Sequence, residues 1–154
     1  RLCRELSLCE HILFLGKVRD TSHVLNIADV FLLPSETESF GLAALEAMAA
    51  KIPVVSLNGK GNADIIHNGK NGYLIEKNDA KVFGETIIQL FSNQELYNNI
   101  VDNAYTFALQ FDIKEYSSRL LDIYQNKIDF IIYDLKINKF INENFFKIPR
   151  EEDL

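Results

Sequence analysis

The sequence is 154 residues long, room for one domain and a short appendage. Hydrophobic residues make up 47% of it, enough for a real core, while 16 Lys and Arg against 22 Asp and Glu leave a formal net charge of −6. That balance speaks against a nucleic-acid or anionic-membrane surface, which would need a basic excess, and no apolar run approaches the ~18–20 residues that span a bilayer.

Residues 1–9 read as the end of a helix. Arg1 is not an initiator Met and no signal peptide is visible, so the sequence is expected to begin inside a longer protein. Cys3 and Cys9 make no C-x-x-C and have no His at ligand spacing. Free thiols in a reducing compartment are therefore expected, which places the protein in the cytoplasm. Residues 12–15 (ILFL), closed by Gly16, have the pattern of a buried parallel strand, with a loop over 17–20 after it. A short helix is predicted over 20–28, with Val24, Leu25 and Ala28 on one face and Asp20 or Thr21 as its cap. Residues 30–33 (VFLL) are a second buried strand, ended by Pro34.

Residues 53–56 (PVVS) make a third strand, residues 63–67 a short helix, residues 68–72 (NGKNG) a turn, and residues 73–75 a fourth strand. From Asp79 to about Lys127 the pattern is helical, with breaks near Asn93 and at Asp112, each a predicted N-cap. Short strands alternating with helices mean βαβ units, hence an α/β fold with a Rossmann-like parallel sheet of four to five strands and helices on both faces. The tail, residues 128–154, has neither a helical nor a strand period. It is read as a separate segment: a continuation of the preceding helix, a docking segment or disordered, with PREEDL at its end left unordered.

The chain is organised around residues 38–46, ESFGLAALE. From Phe40 to Ala50 every residue but Glu46 is apolar or Gly, and Ala, Leu and Met are strong helix formers. A helix apolar all round belongs in an interior. It is predicted to open at Phe40, capped by Ser39, and to close near Lys51. Glu38 falls just outside its start and Glu46 in its second turn, on the order of 12 Å apart along the axis at ~1.5 Å per residue. Between them lie the free amides of Phe40, Gly41 and Leu42 at the positive end of the helix dipole, and Gly41 has no side chain to block an approaching anion. The order is polyol acceptor, anion cradle, polyol acceptor, which matches ribose, pyrophosphate and sugar in a nucleoside diphosphate-sugar.

The E-x7-E pattern in ESFGLAALEAMA, preceded by ADVFLLPSE and followed by PVVS, resembles the signature of retaining GT-B glycosyltransferases of the glycosyl transferases group 1 family. The likeness runs from HILFLGKVRD to GNADIIHNGKNGYLI and covers roughly residues 1–127, matching only the C-terminal, donor-binding half of such an enzyme. The resemblance implies a hexosyl-type transfer from a nucleotide-sugar in glycan or polysaccharide biosynthesis. It assigns Glu46 to the ribose, Glu38 to the donor sugar at the catalytic centre, the amides of Phe40, Gly41 and Leu42 to the phosphates, and the loop of Gly16, Lys17 and Val18 to the base. It also implies an upstream segment whose basic pair neutralises the pyrophosphate and, further upstream, a missing N-terminal half that binds the sugar or lipid-linked acceptor and makes any peripheral membrane contact; the piece alone would be inactive. No metal or further cofactor is expected, in keeping with the lack of a D-x-D.

Each residue also has a plainer reading. Glu46 could be a core acid paired with a cation or amide, Glu38 a carboxylate favoured by the helix dipole, and Lys17 a solvated loop residue. The loop GKGNAD has G-x-G but Asp64 where a dinucleotide fingerprint has its third Gly, and Gly69-Lys70 is followed by Asn71, not by the Ser or Thr of a Walker motif. Asp64 stands where many relatives carry Glu, and Lys51 where they usually have Gly. His11, His23 and His67 have no acid or Cys at metal spacing. Two other functions remain open at this stage: a non-catalytic α/β nucleotide-binding or interaction module, and a GT-B nucleotide-sugar epimerase.

Overall fold

A computed structural model of the chain describes residues 1–144. It divides into two compact units at Leu109 and Gln110, each described by itself below. PREEDL lies outside the described residues.

The first unit is built on a parallel sheet of β1 (Phe31–Leu33), β2 (Val54–Leu57) and β3 (Tyr73–Ile75), in the order β1-β2-β3. The register sets Leu32 against Val55 and Ser56 against Leu74. β2 is buried along its whole length, as a central strand covered on both faces must be. Pro53 stands just before it, where its missing N–H takes nothing from the ladder, and its carbonyl accepts from Phe31 N at 2.9 Å. Ser56 is the polar exception, and its hydroxyl donates to the carbonyls of Leu33 (3.2 Å) and Leu57 (3.1 Å). A buried hydroxyl with a partner avoids the desolvation penalty of an unpaired one.

Alternate residues of β2 feed two cores. Val54 joins Leu25, Leu45, Met48, Ile65 and Ile66 on one face; Val55 and Leu57 join Ile75 and Phe83 on the other. Helix α3 (Leu42–Ala49) and α6 (Gln94–Ala108) cover the first face. They pack against each other, and half of the residues they bury are alanines: Ala44, Ala47, Ala104 and Ala108. Helix α5 (Ala80–Ser92) covers the second face through Phe83. Helices on both faces of a parallel sheet are the architecture the sequence predicts.

The helix ends follow local chemistry. Asp79 caps α5 by accepting from Lys81 N at 2.8 Å, and Asn93 caps α6 by accepting from Leu96 N at 3.0 Å. α3 ends in a turn where Lys51 N donates to Met48 O and Ile52 N to Ala47 O, the two bonds of a Schellman motif. That motif puts Lys51 at φ 62, in the left-handed region that Gly most often fills at the end of such a motif. The Lys51 ammonium lies 4.8 Å from the centre of the Tyr105 ring.

Several sequence expectations are corrected. Residues 12–15 are not a strand: among the described residues they pair with none, and Leu13 and Phe14 are about four-fifths exposed. Apolar composition favours a strand only where a ladder partner and a covering layer exist. The sheet consequently has three strands rather than four or five among the described residues. β1 is half-buried, not buried. The expected helix over 20–28 shrinks to α2 (Ser22–Leu25). Helix α1 (Leu2–Glu5) and α4 (Asn62–Ile65) are single turns. α3 opens at Leu42, two residues later than predicted, with Gly41 rather than Ser39 at its cap.

The second unit is α7 (Ile113–Asn144), which runs through Lys127 without a break. Asp112 opens it, its Oδ1 accepting from Lys114 N at 2.8 Å. A Glu115–Arg119 pair and a Gln125–Asp129 hydrogen bond join residues one turn apart.

Candidate functional site

The loops that leave the carboxyl ends of β1 and β2 meet backbone to backbone. In open α/β sheets this edge is where ligands bind. The contact depends on two glycines. A Cβ on Gly59 would lie 2.7 Å from the carbonyl oxygen of Glu36. A Cβ on Gly61, whose φ is 86, would lie 2.3 Å from the carbonyl oxygen of Glu38 and 3.0 Å from the amide nitrogen of Phe40. Only hydrogen fits at either place, so the G-K-G spacing serves as a seat for the loop of residues 35–40, not as a phosphate fingerprint.

The start of α3 is seated in the same way. Gly41 is buried, adopts φ 81, and would put a Cβ 2.8 Å from Ile65 Cδ1 and 3.1 Å from Asn62 Oδ1. Its backbone oxygen accepts from Ala44 N (3.0 Å) and Leu45 N (3.2 Å). The amides of Gly41, Leu42 and Ala43 therefore precede the first intrahelical bond, and the positive end of the helix dipole lies at them. These are one residue along from Phe40, Gly41 and Leu42, because α3 starts later than expected. Asn62 lies fully buried beneath it; its Nδ2 donates to Leu57 O at 3.3 Å, and its Oδ1 has no hydrogen-bond partner among the described residues.

α3 is not buried on every side. Ala44, Leu45, Ala47 and Met48 are buried, while Leu42, Ala43 and Glu46 face solvent. Glu46 is one turn after Leu42, and helical side chains lean toward the N-terminus. Its carboxylate thus shares the uncovered face with the cradle. The expectation of a buried Glu46, and with it the plainer reading as a core acid, is corrected: the alternation of α3 puts this position outside. Glu46 Oε2 accepts from Thr21 Oγ1 at 3.2 Å, leaving Oε1 for another donor. Glu38 is half-buried in the loop four residues before α3, so the helical rise does not govern its distance from Glu46. Phe40 is 41% exposed and Leu42 is 65% exposed at the cradle's rim.

Gly16, Lys17 and Val18 are all exposed, and Gly16 turns the chain at φ 64. Among the described residues no hydrogen bond or ion pair joins these three to Glu38 or Glu46. The same loop reaches α3 three residues later, through Thr21. Just before it, the hydroxyl and amide of Ser22 donate to Asp20 Oδ1, at 2.6 and 3.0 Å, which holds the Asp20 carboxyl below its ordinary range. Sequence reasoning did not find Thr21 or Asn62, and no motif marks either. The sequence shows the two glycines of the seat only as a near-miss of a dinucleotide fingerprint. Among the described residues no three His, Cys, Asp or Glu side chains converge as metal ligands, and no helix is long and apolar enough to cross a membrane.

A parallel sheet covered by helices on both faces, with a helix start at its carboxyl edge, defines an α/β protein of Rossmann-like architecture. The glycosyl transferases group 1 family matches residues 1–107, and the chain belongs to that family. Over 104 residues it is 38% identical to the N-acetyl-alpha-D-glucosaminyl L-malate synthase of Bacillus anthracis, covering 68% of this chain and 27% of that enzyme. It is similar to the crystal structure of the C-terminal domain of a group 1 glycosyl transferase from Francisella tularensis, with a TM-score of 0.62, 28% identity, and coverage of 71% and 58% of the two chains. The Anabaena protein Alr3699/HepE, solved in complex with UDP and glucose, shares the fold at a TM-score of 0.75 and 24% identity, over 80% of this chain and 34% of that one. The chain thus spans about a quarter to a third of the full-length relatives it matches.

Proposed function

We propose that this chain is the donor-binding, C-terminal half of a retaining GT-B glycosyltransferase. The observation that carries the reading is the uncovered face of α3, where free amides at a helix start stand with Glu46 on the helix and Glu38 in the loop before it, all at the carboxyl edge of a parallel sheet. In this reading the diphosphate of a nucleotide-sugar rests on the amides of Gly41, Leu42 and Ala43. Glu46 accepts the ribose hydroxyls through the oxygen that Thr21 does not use. Glu38 accepts hydroxyls of the transferred sugar. Gly16, Lys17 and Val18 face the base. The E-x7-E spacing then measures the donor, from sugar to ribose.

The reaction is a transfer with retention. The acceptor hydroxyl oxygen bonds to the anomeric carbon on the face from which the diphosphate leaves. The bond from that carbon to the diphosphate oxygen breaks, and the acceptor's proton passes to a phosphate oxygen. The amides of α3 stabilise the charge that develops on the leaving diphosphate. The opposing half supplies the acceptor site, so this half alone is inactive in this reading. No step is assigned to a metal or cofactor. The acceptor is a sugar or lipid-linked glycan in polysaccharide or glycan synthesis, and the nucleotide-sugar donor agrees with a cytoplasmic location. The match to glycosyltransferases over most of the chain favours this reading over a binding module or an epimerase.

The test uses a chain that carries both halves. Glu38→Ala lowers turnover of the nucleotide-sugar and leaves binding of the free nucleoside diphosphate within about two-fold. Equal turnover by the variant and the parent would remove Glu38 from the donor-sugar site.

A further inference from the structure

The strongest feature outside the donor site is at the N-terminal turn. Helix α1 ends in a Schellman motif: Ser7 N donates to Arg4 O at 3.1 Å and Leu8 N to Cys3 O at 2.9 Å. Ser7 takes the left-handed conformation the motif needs, at φ 55. This turn folds the chain back so that Cys9 meets Cys3, with the two sulfurs 3.2 Å apart. Both thiols are free; Cys9 is exposed and Cys3 is half-buried. Two thiols six residues apart in a floppy segment would meet only rarely. Here two backbone hydrogen bonds hold them in contact.

We propose that Cys3 and Cys9 are a thiol-modification site, a dithiol that a low-molecular-weight disulfide oxidises reversibly to an intramolecular disulfide. The Cys3 thiol donates to Cys9 Sγ, and this bond raises the pKa of Cys3 above its ordinary value. Cys9, the more exposed sulfur, is the one a small disulfide reaches first, and it attacks as its thiolate. The Cys9 thiolate attacks one sulfur of the small disulfide and expels the first small thiolate, which takes up a proton. Cys3 loses its proton to solvent and attacks the Cys9 sulfur of the mixed disulfide, expelling the second small thiolate. Two protein thiols are oxidised, one small disulfide is reduced, and two small thiols leave. Small thiols in excess run the same steps backward.

The experiment treats the full chain with glutathione disulfide, quenches with acid and follows intact mass. The expected product is lighter by two hydrogens, monomeric, and restored by dithiothreitol. Cys3→Ser should stop at a stable glutathione adduct on Cys9. In urea, where the turn is lost, closure of the mixed disulfide should slow by about ten-fold or more, because the second attack then loses its held geometry. The proposal is overturned if the parent chain accumulates adducts on both cysteines or cross-linked dimers, or if urea leaves the closure rate unchanged.

Discussion

Gly61→Ala tests the seat on which the acid loop rests. The added methyl would lie 2.3 Å from the Glu38 carbonyl oxygen, whereas carbon and carbonyl oxygen settle at about 3.3–3.6 Å. One backbone must retreat by about 1 Å. Forcing atoms into a packed place costs about 1–3 kcal/mol, and a side chain at φ 86 adds about 1–3 kcal/mol of strain. A loss of about 2–6 kcal/mol follows, which lowers Tm by roughly 4–24 °C in a chain of this size. Gly69→Ala is the internal control. Gly69 also has a positive φ, 71, but nothing lies within 4 Å of its Cβ position, so only the conformational cost of about 1–2 kcal/mol applies. Urea denaturation of both variants beside the parent measures the difference. If Gly61→Ala and Gly69→Ala lose the same stability within about 0.5 kcal/mol, the two loops do not meet as described.

Substitutions at two further positions test the helices that support the site. Gly84 lies inside α5 with open space at its Cβ position, so Gly84→Ala should raise stability by about 0.5–1 kcal/mol in a urea titration; a loss would mean that the helix is packed more tightly there than the structure shows. Lys51 combines an unfavourable φ with a ring contact. Lys51→Ala keeps the strain and loses the contact, for a loss of about 0.5–1 kcal/mol, while Lys51→Gly relieves the strain and should come out within about 0.5 kcal/mol of the parent. A gain well above 1 kcal/mol from Lys51→Gly would show that Tyr105 contributes nothing.

The parts of the fold legible in the sequence are those fixed by local rules. Asp79, Asn93 and Asp112 mark their helix starts because a side-chain oxygen there can reach an amide two or three residues on. Val54 and Val55 sit in a run of apolar residues bounded by Pro53 and the Gly59 loop, which only a central strand explains. Residues 12–15 failed because composition does not reveal whether a ladder partner is present. The start of α3 was misplaced for a related reason. Ser39 is the better cap by residue type, yet the tight approach of Gly41 to Asn62 and Ile65 bends the chain and delays the helix, and that approach joins residues some twenty positions apart. Glu46 looked buried because its sequence neighbours are apolar; the uncovered face of α3 was not legible from them. The near-miss at G-K-G has the same origin, since the sequence shows that two glycines are there but not which backbone presses on them.

The most direct measurement is calorimetric binding of a free nucleoside diphosphate to a two-half enzyme with and without Glu46. The diphosphate carries the ribose but no sugar, so it isolates the assigned contact. Glu46 is exposed and already accepts one hydrogen bond from Thr21, which puts the loss at the lower end of a charged hydrogen bond, about 1.5 kcal/mol. Glu46→Ala should then raise Kd by about ten-fold, and Glu46→Gln should fall between the two. An unchanged Kd for Glu46→Ala would contradict the placement of the ribose on α3 and leave Glu46 as no more than the partner of Thr21.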